Sequence, residues 1–329
     1  MRIVLKQAAA PEQVAALKTA LAAHGLAVAQ EGAELRVTGD CAALDADVLA
    51  HEPCVLAVDR GAEAPLLSSR AEGQETTCVR VGAAKIGGGK LTLIAGPCAV
   101  ESEAQLLAAA RAVKAAGADI LRGGAFKPRT SPYEFQGLGR EGVRLLELAR
   151  QETGLPVVTE ILDPRELELL GSMDMLQVGA RNMQNYALLR ELGGCGKPVL
   201  LKRGMGCTLR ELLLSAEYLL SAGNAQVVLC ERGIRTFEPS VRGTLDLSAV
   251  PLLRELSHLP VLVDPCHAVG QARLVPSMAL AAAAAGADGV MLEVHPDPLT
   301  ARCDAPQAIL PEDFAALAQR LRRVREALA

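Results

Sequence analysis

The sequence contains no tryptophan, and its 329 residues include only four phenylalanines and three tyrosines. Because half of the residues are hydrophobic, the core must be built from aliphatic side chains and alanine. No apolar run has the length needed to span a membrane, since the alanine-rich run Ala279–Ala285 is short and predicts a packed helix. The apolar stretch in residues 1–6 is also too short for a signal peptide. We therefore expect no membrane partner.

The chain also lacks an excess of positive charge and any CxxC spacing. Its net charge of −4 argues against nonspecific binding to nucleic acid. The nine cysteines are odd in number and scattered, a pattern that favours reduced thiols in a cytoplasmic protein over a disulfide framework. The length suits one large domain and one small domain.

Residues 1–60 have a pattern of their own, with short apolar runs on either side of two helical segments. Strands are expected at Ile3–Leu5 and Val55–Val58, and helices at Pro11–Ala23 and Ala42–Leu49. A hairpin is expected at Leu26–Ala29 and Glu34–Val37. The order βαββαβ predicts a ferredoxin-like α+β domain, a common module for sensing small molecules. The polar residues 61–77 are predicted to form a linker.

Residues 78–329 show the repeated strand, loop and helix of an α/β protein. After a predicted hairpin at Cys78–Val81 and Ala84–Ile86, the eight expected strands are Leu91–Ala95, Ile120–Leu121, Val157–Thr159, Met175–Val178, Val199–Leu201, Val227–Cys230, Val261–Val263 and Val290–Leu292. Eight units in about 240 residues predict a (β/α)₈ TIM barrel. An open, doubly wound sheet is the alternative, although it seldom has eight regular units.

Chemically capable side chains follow the C-terminal end of every predicted strand. In chain order they are Cys98, Arg122 with Lys127, Glu160, Arg181, Lys202, Arg232, His267 and Glu293. Barrel active sites lie at this end of the strands. This register therefore favours an active site over packing as the reason for these residues.

The loop Arg122–Ser131 holds three cations beside the hydroxyls of Thr130 and Ser131. The cations Arg122, Lys127 and Arg129 next to Thr130 suit a phosphorylated, carboxylated small molecule. Two glycines, Gly123-Gly124, would let the backbone approach such a ligand closely. A solvated basic loop is the alternative.

Four residues from separate loops mix sulfur, nitrogen and oxygen donors: Cys98, His267, Glu293 and Asp304. Such a set suits a divalent ion such as Mn²⁺, Fe²⁺, Co²⁺ or Zn²⁺. Taken singly, the cysteine would more often be a small buried hydrophobe, the histidine a core residue and the glutamate the partner of an arginine. Because all four are expected at one barrel face, we prefer the metal site.

Five cations are expected at the same barrel mouth, namely Arg122, Lys127, Arg181, Lys202 and Arg232. Their mutual repulsion would need a polyanionic ligand, and the alternative is pairing with surface carboxylates. Glu160 is the candidate for moving a proton or orienting a water molecule. It could also anchor one of the cations.

Long motifs extend these single residues: Gly96-Pro97-Cys98, Arg122 to Tyr133, Gln177 to Asn182, Leu200 to Gly204, Cys230 to Glu238, Asp264-Pro265-Cys266-His267 and Glu293-Val294-His295-Pro296. Over residues 78–329 they resemble the type I beta group of 3-deoxy-D-arabino-heptulosonate 7-phosphate (DAHP) synthases. Residues 1–60 resemble the regulatory domain of some members. The resemblance implies a transferase that joins phosphoenolpyruvate to erythrose 4-phosphate and water, the first step of the shikimate route.

The resemblance also implies roles for individual residues. Cys98, His267, Glu293 and Asp304 match the metal ligands; Arg122, Lys127, Arg181, Lys202 and Arg232 match the phosphoenolpyruvate contacts; Pro128, Arg129 and Thr130 match the erythrose 4-phosphate loop. The residues expected to take part in catalysis are Lys127, Glu160, Lys202 and His267, with Glu160 near the attacking water. The resemblance further implies a homotetramer and tyrosine or phenylalanine as a feedback effector.

Two residues depart from the family pattern. Cys266 stands where members often have serine, which places a second thiol near the expected metal, and Ala305 stands where glycine is common, which puts the placement of Asp304 in question. The nearest alternative activity is that of 3-deoxy-D-manno-octulosonate 8-phosphate synthase, which uses arabinose 5-phosphate. The sequence Lys127–Ser131 favours erythrose 4-phosphate. A Schiff-base aldolase using Lys202 and a noncatalytic amino-acid sensor are further alternatives.

Overall fold

The computed structural model describes residues 1–41, 44–59 and 66–328. The chain divides into two compact units, Met1–Pro65 and Leu66–Ala329. The start of the predicted second helix, at residues 42–43, and the first part of the predicted linker, at residues 61–65, lie outside the described residues. Of the helices that the structure describes, none is both long enough and apolar enough to cross a bilayer.

The smaller unit is a four-stranded antiparallel sheet with two helices. Its elements are β1 Arg2–Leu5, α1 Pro11–Ala23, β2 Ala27–Glu31, β3 Glu34–Thr38, α2 Ala46–Ala50 and β4 Val55–Asp59. Pro11 begins α1, a position where its missing N–H has no helical partner to lose. Val14, Leu17 and Leu21 fall on one helix face and enter the core. The strand order is β2-β3-β1-β4, and the element order is the βαββαβ that the sequence predicts.

The larger unit is a closed barrel of eight parallel strands, as predicted, rather than an open sheet. The strands of its hairpin and barrel are β5 Val79–Val81, β6 Ala84–Ile86, β7 Thr92–Gly96, β8 Ile120–Arg122, β9 Val157–Ile161, β10 Met175–Val178, β11 Val199–Lys202, β12 Val227–Glu231, β13 Val261–Val263 and β14 Gly289–Glu293. Its helices are α3 Glu103–Ala115, α4 Arg140–Thr153, α5 Tyr186–Gly194, α6 Leu209–Ser221, α7 Ala249–Leu256, α8 Pro265–Val269, α9 Val275–Ala284 and α10 Pro311–Ala327.

The lower part of the barrel interior is filled by aliphatic side chains. Alternate residues of each strand point inward, and the inward apolar residues are Ile94, Ile120, Val158, Met175, Leu200, Val228, Cys230, Leu262 and Met291. The hairpin β5–β6 packs Val79, Val81 and Ile86 against the same cluster. The hairpin therefore closes the base of the barrel.

Residues 66–77, which their composition predicts to be linker, belong to the barrel unit. The backbone N–H of Arg70 donates to Leu256 O at 3.0 Å, and that of Thr77 donates to His258 O at 2.7 Å. The guanidinium of Arg70 also donates to the carbonyl of Arg254 at 2.7 Å. Polar groups of this segment thus donate hydrogen bonds to carbonyls at the end of α7 and just after it. Their polarity therefore does not indicate a flexible linker.

Candidate active site

The site lies where the barrel interior changes from apolar to charged. On seven strands, a polar residue stands two positions after an inward apolar one and so shares its face. The pairs are Ile120 and Arg122, Val158 and Glu160, Met175 and Gln177, Leu200 and Lys202, Cys230 and Arg232, Leu262 and Asp264, and Met291 and Glu293. A ring of polar side chains therefore stands above the apolar base.

A cavity of about 240 Å³ opens at this ring. It is lined by the predicted site residues Cys98, Lys127, Pro128, Arg129, Thr130, Glu160, Arg181, Lys202, Arg232, His267 and Asp304. Arg122 and Glu293 are buried beneath the lining, with 3.2 Å between Arg122 Nη1 and Glu293 Oε1. The structure thus brings the expected cations and the expected metal ligands to one place.

The four candidate metal ligands converge on a single point. One donor atom each from Cys98, His267, Glu293 and Asp304 lies within 4.8 Å of the others. His267 Nε2 lies 3.1 Å from Glu293 Oε1 and 3.5 Å from Asp304 Oδ2, and Cys98 Sγ lies 3.2 Å from Asp304 Oδ2. Asp304 is included despite the neighbouring Ala305, and its backbone adopts the left-handed conformation with φ 53°.

A buried carboxylate, Asp264, fixes the orientation of His267. Asp264 Oδ2 accepts from His267 Nδ1 at 2.7 Å, and Asp264 Oδ1 accepts from the backbone N–H of His267 at 3.0 Å. The same carboxylate pairs with Lys202 Nζ. Because Nδ1 is occupied, Nε2 is the nitrogen that faces Glu293 and Asp304. This is the arrangement by which a carboxylate orients a metal-binding histidine.

The four candidate ligands fit a divalent ion, because they include two carboxylates and a buried oxygen without a hydrogen-bond donor. Glu293 Oε1 is buried and accepts no hydrogen bond, although it faces His267 and Arg122. A hydrogen bond with Cys303, together with burial, raises the pKa of the Cys98 thiol. Burial disfavours the imidazolium of His267, but the nearby carboxylates raise its pKa to about 10. Both groups must therefore lose a proton when they bind a cation.

The second thiol near this group does not join it. Cys266 Sγ accepts a hydrogen bond from the backbone N–H of Glu293 at 3.2 Å. Burial raises the pKa of Cys266 well above its usual value. Cys266 thus supports the C-terminal end of β14, and its sulfur lies outside the four-ligand set.

Four of the five cations are buried at the cavity, whereas Arg181 is exposed at its side. Arg122, Lys127, Lys202 and Arg232 are each at most 6% exposed. Burial lowers the pKa of Arg232, because removing a cation from water disfavours its charge. So many desolvated cations need anionic partners, and only part of that need is met by Asp264 and Glu293.

The loop after β8 places its first part deep and its second part at the surface. Lys127 Nζ donates to Cys98 Sγ at 3.2 Å, and a Cβ on Gly124 would lie 2.6 Å from that ammonium. The lack of a side chain at Gly124 therefore leaves room for the side chain of Lys127. Further along, Arg129 Nε donates to Glu134 Oε2 at 2.6 Å, while Thr130 is exposed.

Glu160 lies near the C-terminal end of β9. A Cβ on Gly179 would stand 2.0 Å from Glu160 Oε1, so glycine is the residue that leaves room for this carboxylate. Glu160 is half-buried and lines the cavity. It can reach a ligand or water held between the cations.

Five residues at the site had no role assigned from the sequence: Gln177, Asp264, Arg242, Cys303 and Gln307. Gln177 and Asp264 could have been found, because each stands two positions after an inward apolar residue. Arg242 Nη1 donates to Asp304 Oδ1 and to Gln307 Oε1, both at 2.9 Å. Cys303 Sγ lies 3.4 Å from Cys98 Sγ. Arg242 and Cys303 lie on loops and Gln307 ends the 3-10 helix Ala305–Gln307, so no periodic pattern indicates them.

Fold and site together define a class of protein, a TIM barrel whose mouth combines buried cations with a group of side chains suited to a divalent ion. Such a mouth suits small molecules that carry phosphate and carboxylate groups. Residues 71–329 match the model of the DAHP synthetase I family. The chain belongs to this family.

Known relatives agree with that assignment. The chain is 46% identical over 300 residues to phospho-2-dehydro-3-deoxyheptonate aldolase of Thermotoga maritima, covering 91% of this chain and 89% of the relative. The crystal structure of the Thermotoga maritima DAHP synthase superposes with a TM-score of 0.92 at 42% identity, covering 99% of this chain and 97% of that one. A 2-dehydro-3-deoxyphosphooctonate aldolase of Syntrophotalea carbinolica is 34% identical over 67% of this chain and 85% of its own.

Proposed function

We propose that this enzyme joins phosphoenolpyruvate to erythrose 4-phosphate and water, releasing phosphate and 3-deoxy-D-arabino-heptulosonate 7-phosphate. The observation that supports this most strongly is one cavity in which buried cations, a four-ligand group and the loop of Arg129 and Thr130 meet. Membership of the family supports the same reaction. The relative named for the eight-carbon sugar acid is less similar, at 34% identity against 46%, which supports the four-carbon acceptor.

The donor suits the buried cations by its charge. Phosphoenolpyruvate has a phosphate and a carboxylate, and guanidinium forks bind both groups with two parallel hydrogen bonds. Arg122, Lys127, Arg181, Lys202 and Arg232 are the residues proposed to hold it. Binding would supply the counter-charge that the buried cations otherwise lack.

The acceptor suits the outer part of the loop after β8. Arg129 is held by Glu134 and faces the cavity with Pro128 and Thr130, so this segment is proposed to bind the phosphate end of erythrose 4-phosphate. The aldehyde would then point down toward the four-ligand group. Holding both substrates in one cavity replaces an encounter in solution with a positioned reaction, a major source of rate acceleration.

Cys98, His267, Glu293 and Asp304 are proposed to hold a divalent ion, with Mn²⁺, Fe²⁺, Co²⁺ and Zn²⁺ all compatible with the donor set. When bound, such an ion acts as a Lewis acid on the aldehyde oxygen or positions it. Lys127 Nζ, next to Cys98, is placed to donate a hydrogen bond to that oxygen as it gains negative charge.

The proposed chemistry begins when C3 of the donor forms a bond to the aldehyde carbon, which leaves positive character at C2. Glu160 orients a water molecule and accepts its proton as the oxygen adds to C2. The bond from C2 to the phosphate oxygen then breaks, the C2 hydroxyl loses its remaining proton, and the water oxygen stays as the C2 carbonyl. Of the two protons that the water gives up, one goes to the former aldehyde oxygen, which becomes a hydroxyl, and the other goes to the departing phosphate. Arg232 and Lys202 hold the leaving phosphate and the carboxylate. Lys202 is bound to Asp264, so it is not a free amine for a Schiff base.

The decisive experiment is a phosphate-release assay with phosphoenolpyruvate and either erythrose 4-phosphate or arabinose 5-phosphate. We expect turnover with the four-carbon acceptor and little with the five-carbon one. Preferential turnover of arabinose 5-phosphate would establish the alternative activity. Trapping of a covalent adduct by borohydride in a chelator-treated sample would establish the Schiff-base aldolase.

We further propose a regulatory role for the N-terminal domain (residues 1–60), a homotetramer and a cytoplasmic location. All residues assigned to chemistry follow residue 97, and the barrel is complete without the smaller unit. Tyrosine or phenylalanine is the proposed effector, acting by favouring an arrangement with lower substrate access. Titration of the enzyme with tyrosine, phenylalanine and tryptophan tests this, and no inhibition by any of them would exclude aromatic feedback.

A further inference from the structure

Two polar side chains outside the four-ligand group connect its two carboxylates. Gln307 is buried, and its Nε2 donates to Glu293 Oε2 at 2.6 Å. Its Oε1 accepts from Arg242 Nη1 at 2.9 Å, and the same nitrogen donates to Asp304 Oδ1 at 2.9 Å. A continuous bridge therefore runs from Glu293 through Gln307 and Arg242 to Asp304.

The bridge divides the oxygens of each carboxylate in the same way. Glu293 Oε2 is bonded to Gln307, while Oε1 faces His267 Nε2 at 3.1 Å. Asp304 Oδ1 is bonded to Arg242, while Oδ2 faces Cys98 Sγ at 3.2 Å. In both residues the outer oxygen is occupied and the inner oxygen points at the common centre.

Each end of the bridge is itself held by backbone contacts. Ile309, two residues after Gln307, donates its N–H to Glu293 O at 2.9 Å. Gly243, which follows Arg242, donates its N–H to Ala268 O at 2.7 Å, next to His267 in α8. The loop after β12 and the loop after β14 are thereby joined at the four-ligand group.

We propose that Gln307 and Arg242 are positioning residues, which orient the Glu293 and Asp304 carboxylates so that one oxygen of each binds the divalent ion. The inference rests on the proposed metal site. It does not require either residue to touch a substrate. Groups that orient metal ligands in this way typically affect metal affinity by about 10- to 100-fold when removed.

The test is a direct measurement of Co²⁺ affinity on the full-length protein, by competition with a chromophoric chelator. Gln307→Met keeps the volume of the side chain but removes both hydrogen bonds, and Arg242→Met removes the contacts to Asp304 and Gln307. Each should weaken Co²⁺ binding by about 10- to 100-fold and shift the visible absorption of bound Co²⁺. The double variant should lose less than the product of the single effects, because both act through the same bridge.

Arg254→Met is the matched control. Arg254 pairs with Asp288 at 3.1 Å, and its side chain is 36% exposed, as is that of Arg242. Arg254 lies on α7, and neither it nor Asp288 lines the cavity. It should leave the Co²⁺ affinity and spectrum unchanged, whatever it does to thermal stability. Arg242→Lys, which keeps the charge, should recover part of the loss.

Unchanged Co²⁺ affinity and spectrum in folded Gln307→Met and Arg242→Met proteins would overturn the positioning role and leave the metal site standing. Failure of the wild-type protein to bind Co²⁺ at all would instead overturn the metal site, and the positioning role with it. The two failures are therefore distinguishable from the wild-type measurement alone.

Discussion

The substitution Asp264→Asn tests how much this one buried carboxylate stabilises the barrel. Asp264 is 0% exposed and accepts from His267 Nδ1, from the His267 backbone and from Lys202. An asparagine must place its NH₂ group where one of the two oxygens now lies. Either placement sets a donor against a donor, the His267 backbone N–H in one case and Lys202 Nζ in the other. The side chain cannot rotate out of this conflict.

The magnitude follows from the charges involved. Moving the pKa of His267 from 6.5 to about 10 corresponds to about 5 kcal/mol, shared among its carboxylate neighbours. Removing one partner of a buried ion pair costs about 3–5 kcal/mol, because the other charge is left without compensation. Since one carboxylate serves both His267 and Lys202, these costs overlap. We expect the free energy of unfolding of the metal-free protein to fall by about 3–5 kcal/mol.

The difference in the free energy of unfolding between wild type and Asp264→Asn should depend on pH in a defined direction. The folded pKa of Asp264 is depressed well below its usual value, so its contribution is present above about pH 4 and is lost as the pH falls. The folded pKa of His267 is raised, so that contribution is full below pH 6.5 and is lost toward pH 10. The gap between wild type and variant should therefore be widest from about pH 4 to 6.5 and narrow at higher pH, with a remainder from Lys202.

Urea unfolding in the presence of chelator, followed by far-ultraviolet circular dichroism, measures this gap. The matched control is Asp163→Asn, because Asp163 pairs with Arg165 on the surface and such pairs contribute about 0–1 kcal/mol. Equal midpoints for wild type and Asp264→Asn at about pH 5.5 would refute the reasoning. So would a gap that widens between pH 6.5 and 10.

Four further outcomes are expected. Chelation should abolish turnover, and Mn²⁺ or Co²⁺ should restore it in wild type but not in Cys98→Ala; full activity in a sample shown by elemental analysis to lack metal would contradict this. Thr130→Ala should raise the KM for erythrose 4-phosphate about two- to tenfold through one lost hydrogen bond, and an effect on the donor's KM alone would count against it. Gly179→Ala should lower kcat by about 100-fold, because its Cβ would displace Glu160, and an unchanged kcat would show that Glu160 is dispensable. A chain beginning at Leu66 should keep turnover and lose inhibition by tyrosine or phenylalanine, whereas retained inhibition would locate the effector site in the barrel unit.

Much of the barrel could be predicted because buried parallel strands are short apolar runs, and each ends where a charged residue appears. Lys202 directly after Val199-Leu200-Leu201 is the clearest case. The same reasoning stops at loops. The connection from β9 to β10 contains the short 3-10 helices Pro164–Glu166 and Leu169–Ser172, which have no amphipathic period to detect.

The contacts around the candidate metal ligands could not be read from the sequence for a different reason. Arg242 and Asp304 are 62 positions apart, and only the folded barrel brings their loops together. Composition also misled for residues 66–77, because a polar segment can be mobile or can cap the end of a helix, and only the structure distinguishes the two. By contrast, Asp264 was within reach of a simple rule, the period of two along a strand.

The depth of the cavity has a consequence for the kinetic order of binding. The base of the barrel is closed by the β5–β6 hairpin, so both substrates use the mouth. Four of the five cations assigned to the donor are buried, whereas Thr130, assigned to the acceptor, is exposed. A molecule of acceptor that arrives first would stand in the way of the donor. We therefore expect a compulsory order of binding, donor before acceptor, and inhibition by a large excess of erythrose 4-phosphate that added phosphoenolpyruvate relieves.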